Sequence, residues 1–165
     1  MKLIRSITAP VVLILWCLAP AQAARKPKEE PLPTEPKAIF EQIDRSSARI
    51  SENASDLHRL VTDQASYDMR SGKLDAMRAD VNRIGKAIQS LEQQRTSLTS
   101  WEAKALDEIQ PLAKDMGVNT ERALEAFNIT SAGLFATAFP DETEAVYKDA
   151  SRIEELVRDE SHREQ

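Results

Sequence analysis

From Ile43 to Val61 the residues Ile43, Ser47, Ile50, Ala54, Leu57 and Val61 recur at spacings of four, three, four, three and four. A small or apolar position about every three and a half residues forms a stripe along one edge of an α-helix, and another helix must cover that stripe. Carried forward in the same phase, the pattern meets Gln64, Asp68, Ser71, Asp75 and Arg78, and the stripe is lost. A second stripe then opens in a different phase at Leu74, Met77, Val81, Ile84, Ile88, Leu91 and Leu98, with Arg95 in the remaining slot. A phase change of this kind requires a turn or a stutter. Thr62 to Ser66 and Ser71-Gly72 supply turn-forming residues, so the break is expected between Thr62 and Gly72.

The next boundary is read from chemistry, because the periodicity runs on through Ala105, Ile109, Leu112 and Met116. On spacing alone, Leu74 to Phe127 forms one rod of roughly 80 Å at 1.5 Å per residue. Thr99 and Glu102, however, have the spacing of a capping box, in which hydroxyl and carboxylate each serve the other residue's backbone N–H. With Arg95 and Glu102 interrupting the seam, the reading favours a turn near Thr99. A third helix is then expected from Ser100 to about Asn128, bent by Pro111 and weakened at Gly117. Ile129 to Phe139 breaks the pattern, and its Leu134, Phe135 and Phe139 suit a connection folded over the bundle end. A shorter last helix is expected from Pro140 or Asp141 through Val146, Ala150, Ile153 and Val157. Four glycines in 165 residues and no useful alternating run argue against strands. The expected fold is an all-α antiparallel four-helix bundle over residues 37–160, with a kinked third helix, a shorter fourth and a disordered tail at 161–165.

What precedes residue 37 has another character. Lys2 and Arg5 form a basic start, Val11 to Leu18 is a short apolar run, and Ala21-Gln22-Ala23 presents the small residues that signal peptidase requires. Residues 1–23 therefore read as a signal peptide, cut after Ala23 so that Ala24 starts the mature chain. Residues 24–36, with four prolines among charged residues, read as a Pro-rich tether. Expected localisation is periplasmic or secreted, with no stable membrane anchor after cleavage. Cys17 lies inside the leader, and Leu15-Trp16 before it does not fit lipoprotein processing. Cleavage also removes Lys2 and Arg5 and no acid, which lowers 22 basic residues to 20 against 27 acidic ones and the net charge from −5 to −7. Such a surface disfavours nucleic acid and anionic lipid and suits protein partners with basic patches.

Helix bundles often hold metal or haem. Di-iron bundles need Glu-x-x-His pairs on two helices. The nearest match is Asp159 to His162, at the end of the chain. His58 stands just off the seam beside Leu57, and Met77 and Met116 read as gap-fillers. No cofactor and no metal are expected, and no residue is assigned to catalysis. Neither histidine has a plausible serine environment, and no G-x-S-x-G elbow or glycine-rich phosphate loop occurs. Glu92, Asp107, Glu108, Glu121 and Glu125 fall largely on polar faces. Trp101 reads as a staple across the bundle end, Tyr147 is the other aromatic residue open to a functional reading, and Asn119-Thr120 reads as a register-fixing polar pair.

Trp101 just after a helix cap, Ile109 before Pro111-Leu112, Asn119-Thr120 and Asn128 resemble a pattern in small exported helical proteins of acidobacteria. Val81 to Leu91, with Gly85 inside it, is similar to the preceding helix of that group. The likeness covers roughly Leu57 to Val157. Ser100 stands where the group often has proline, and the last helix is shorter. The resemblance implies a bacterial exported bundle and carries over no activity and no functional residue. The expected function is a non-catalytic interaction or structural module. The alternatives are a carrier of an apolar ligand or haem in the bundle interior, and self-assembly through the seam if the middle helices form one rod.

Overall fold

Four helices account for nearly all of the regular structure: α1 Pro36–Thr62, α2 Tyr67–Gln93, α3 Ser100–Ser131 and α4 Ala138–Arg163. The structure is a computed structural model that describes residues 31–62, 67–131 and 138–163. The expected signal peptide, its cleavage residues Ala21, Ala23 and Ala24, and the tether up to residue 30 lie outside the described residues, as do Leu134 and Phe135. No helix among the described residues is long and apolar enough to cross a membrane.

Both expected breaks are present. α1 ends at Thr62 and α2 begins at Tyr67, which places Gly72 inside a helix. Between α2 and α3 the chain makes a 3-10 turn, Arg95–Ser97, so the single-rod alternative is excluded. The capping box forms as the spacing requires. The Glu102 carboxylate accepts from the Thr99 backbone N–H at 2.8 Å and from its hydroxyl at 2.9 Å, while the Thr99 hydroxyl accepts from the Glu102 N–H at 3.3 Å. These bonds satisfy donors that a helix start otherwise leaves orphaned.

Three boundaries differ from expectation. α4 has 26 residues against 27 in α1 and α2, so the fourth helix is not a short one. It begins at Ala138 with Pro140 in its first turn, where the missing N–H costs no helical hydrogen bond. It also runs to Arg163, so residues 161–163, placed in the tail from sequence, are helical. α3 continues to Ser131 and carries Pro111 without interruption. At the other extreme, Leu32 of the expected tether packs against the core.

Cross-helix pairs give the topology. Arg49 meets Asp80 and Asp56 meets Lys73, so α1 and α2 are antiparallel. Arg78 meets Glu121 and Gln110 meets Glu92, so α2 and α3 are antiparallel. Ser51 reaches Glu154 and Asp44 reaches Arg158, which sets α4 antiparallel to α1 and closes the ring. Ile43, Ile50, Leu57, Leu74, Met77, Ile84, Leu106, Ile109, Met116 and Ile153 are fully buried inside it. At about 1.5–3 kcal/mol for each large aliphatic side chain taken out of water, they supply the main favourable term. Aromatic pairs mark the two ends: Phe40 with Trp101, ring centroids 5.7 Å apart, and Tyr67 stacked on Phe127 at 4.7 Å. Trp101 thus serves as the expected staple, joining the start of α3 to the start of α1.

The buried face of α2 is rotated from the sequence reading. Asp80 and Ala87 are buried together with Leu74, Met77, Ile84 and Leu91, whereas Val81 and Ile88 are only partly covered. The cause lies on α1. Arg49 grips Asp80 through both carboxylate oxygens, Nε to Oδ2 at 3.0 Å and Nη2 to Oδ1 at 2.6 Å, while the same Nη2 donates to Ser46 Oγ at 3.2 Å. Arg83 adds a third cationic contact at 3.5 Å. A carboxylate can be buried in this position because it is gripped bidentately. Drawing Asp80 toward α1 leaves Val81, one residue on, facing α3.

Candidate functional site

Among the described residues, three openings between neighbouring helices hold side chains that could carry a function. The first is a cleft of about 360 Å³ between α1 and α4, lined by Ala54, Ser55, His58, Thr143, Glu144 and Tyr147. Ser55 and His58 are one turn apart on α1 and line this cleft together with Glu144 of α4. The spacing of three residues was visible, but Glu144 comes from the far end of the chain. Glu144 accepts from Lys148 at 2.7 Å, and this hydrogen bond, with the charges of Lys148 and His58, holds its pKa below the usual carboxylate value. The backbone N–H groups of Ser55 and His58 lie in mid-helix and are bonded within α1, so they offer no donors to a developing oxyanion. Tyr147 stands exposed at the rim.

The second opening lies between α3 and α4, where Asp115 and Asn119 face Lys148 and Asp149. Burial, and secondarily the negative charge of Asp115, raises the pKa of Asp149. Two carboxylates from adjacent helices thus oppose each other in a partly desolvated cleft. Asn119 is half-buried here, while Thr120 beside it is buried and donates to the Met116 carbonyl of its own helix at 2.8 Å. The Thr120 hydroxyl is therefore satisfied within α3. Among the described residues no group of three or more His, Cys, Asp or Glu is placed to hold a metal ion.

The third opening, the largest of these three, is a groove of about 590 Å³ between α2 and α3. These two helices form the sparsest of the four neighbouring contacts. Their loop-proximal ends are fastened by Gln110 on Glu92 at 2.5 Å and by Arg95 on Asp107. Further along, Gly85 and Gly117 leave the two surfaces apart. A Cβ built at Gly85 would meet no atom within 4 Å, and one at Gly117 would meet only Val81 Cγ1, at 3.9 Å. Val81, Ala113 and Val118 supply the apolar floor, and Val118 is 44% exposed. Arg78 bridges to Glu121 at 2.9 Å, and Lys114, Arg122 and Glu125 complete the rim. In the sequence, Gly117 is a weak point in α3 and Gly85 lies within the resemblance over Val81 to Leu91. Only the pairing of α2 with α3 brings the two glycines to one groove.

The chain matches no family model, no curated protein and no solved structure in comparison with known proteins.

Proposed function

We propose that this protein is an exported, non-catalytic interaction module of a bacterial envelope that binds partners on its outer helical faces. Export rests on the pattern of residues 1–23. The observation that carries the interaction reading is the division between inside and outside. Fully buried aliphatic side chains occupy the space among the four helices, whereas the openings described lie between neighbouring helices at the surface. A carrier needs its opening among the helices and a catalyst needs converging groups in a shielded one. The α1–α4 cleft assembles a hydroxyl, an imidazole and a carboxylate but offers no backbone donors from α1, which favours binding over turnover.

Photo-crosslinking amino acids placed singly at Met69, Val118 and Tyr147, all exposed, provide the test. A discrete adduct with an envelope protein at physiological salt, from at least one position, is the expected result. The absence of an adduct from all three overturns the proposal.

A further inference from the structure

We infer that the groove between α2 and α3 is a docking site for one amphipathic helix of another protein, about three turns long, with bulky apolar side chains and an acidic flank. This rests on the interaction reading above and names the surface and the partner chemistry.

Length follows from the lining. On α3 the groove runs from Ala113 to Glu125, and twelve residues at 1.5 Å each give about 18 Å, the length of a three-turn helix. Depth follows from the glycines. Neighbouring helices in a bundle interlock because side chains of one enter the gaps of the other. At Gly85 and Gly117 those side chains are missing: among the described residues nothing approaches within 4 Å of the Gly85 position, and only Val81 Cγ1, at 3.9 Å, borders that of Gly117. An occupant must therefore bring its own bulk, leucine or an aromatic residue at spacings of three and four. The partly covered Val81 and exposed Val118 supply apolar contact on each wall.

Charge selects the flank. The chain as a whole is acidic, with 27 Asp and Glu against 22 Lys and Arg. The groove reverses this balance: Arg78, Lys114 and Arg122 stand against Glu121 and Glu125. Arg78 and Glu121 neutralise each other in their bridge. Lys114 and Arg122 form no ion pair among the described residues; set against Glu125 they leave the rim one positive charge in excess around an apolar floor, and Arg122 also borders the α3–α4 opening that holds Asp115 and Asp149. An acidic flank gains from these two cations and a basic flank is repelled.

The test uses the purified full chain and two fluorescent 14-residue helical peptides with the same leucine face, one flanked by glutamates and one by lysines. By anisotropy the glutamate peptide is expected to bind at least about tenfold more tightly. Gly85→Leu should abolish that preference by filling the groove, with helical dichroism unchanged because the added Cβ has open space. Lys114→Glu should weaken the glutamate peptide while leaving the fold intact. Equal binding of the two peptides, no binding of the glutamate peptide, or full binding by Gly85→Leu overturns the inference. A concentration-dependent dimer that Gly85→Leu dissolves would assign the groove to a second copy and also overturn it. An envelope adduct from Tyr147 but not from Val118 removes the groove and keeps the interaction reading. Adducts from neither, nor from Met69, remove both.

Discussion

Removing Arg49 should cost more than replacing Asp80 with leucine, although each change destroys the same ion pair. The side chain of Asp80 is 8% exposed and that of Arg49 is 43% exposed. In Arg49→Ala the carboxylate stays buried on α2 and loses two direct hydrogen bonds, keeping only Arg83 at 3.5 Å. Breaking a fully buried pair in this way costs about 3–5 kcal/mol. Residual access and the Arg83 contact reduce the figure here to about 2 kcal/mol. In Asp80→Leu, by contrast, the arginine left behind is already half in water and keeps its bond to Ser46, and leucine joins the stripe between Met77 and Ile84. That variant should stay within about 1 kcal/mol of the parent and could exceed it, since apolar replacements of buried pairs are often neutral or stabilising. Urea denaturation followed by far-ultraviolet dichroism measures both. The reasoning fails if Asp80→Leu is destabilised as much as Arg49→Ala, because burial of an unpartnered charge would then not be the controlling cost.

Other substitutions probe the remaining features. Thr99→Ala removes the hydroxyl half of the capping box and should cost about 1 kcal/mol in urea denaturation, with the α2–α3 turn the first region to lose amide protection. Ser47 is fully buried, and its hydroxyl has no hydrogen-bond partner among the described atoms; Ser47→Ala should therefore be neutral or raise the melting temperature. Asp149 has a raised pKa, so the folded chain holds that proton more tightly than the unfolded chain does. Its contribution is greatest below the unfolded value near pH 4 and is lost as pH rises through the folded pKa. Asp149→Asn should flatten this slope and stabilise the protein at neutral pH by a few tenths of a kcal/mol, as expected for relief of a partly buried charge and, secondarily, of its contact with Asp115.

The helices were legible because their cause is local. Ile43, Ile50, Leu57, Leu74, Ile84 and Ile153 announce their burial by spacing, and Thr99 with Glu102 announces a helix start by chemistry that acts over three residues. What could not be read depended on which helix lies beside which. Asp80 occupies a slot between two apolar positions, and only Arg49, 31 residues away on α1, explains its burial. That contact shifts the buried face of α2 toward α1 and leaves Val81 and Ile88 partly covered. The groove is hidden for the same reason: nothing in the sequence links Gly85 to Gly117 until α2 and α3 are laid antiparallel. The His58 cleft likewise needs Glu144 and Tyr147 from α4. Helix length was misjudged at α4 because charged residues after Val157 carry no apolar stripe, yet Arg, Glu and Ser remain compatible with helix.

The closed ring and the α1–α4 cleft require α4 to lie back along α1. Ser51 Oγ and Ser151 Oγ approach to 3.4 Å across that interface. In a Cys17→Ser background, the double variant Ser51→Cys, Ser151→Cys should oxidise readily to an intramolecular disulfide, seen as a faster-migrating non-reduced band, with helical dichroism unchanged. Persistence of two free thiols under mild oxidant, or disulfide-linked dimers in place of the internal bond, would contradict the antiparallel ring.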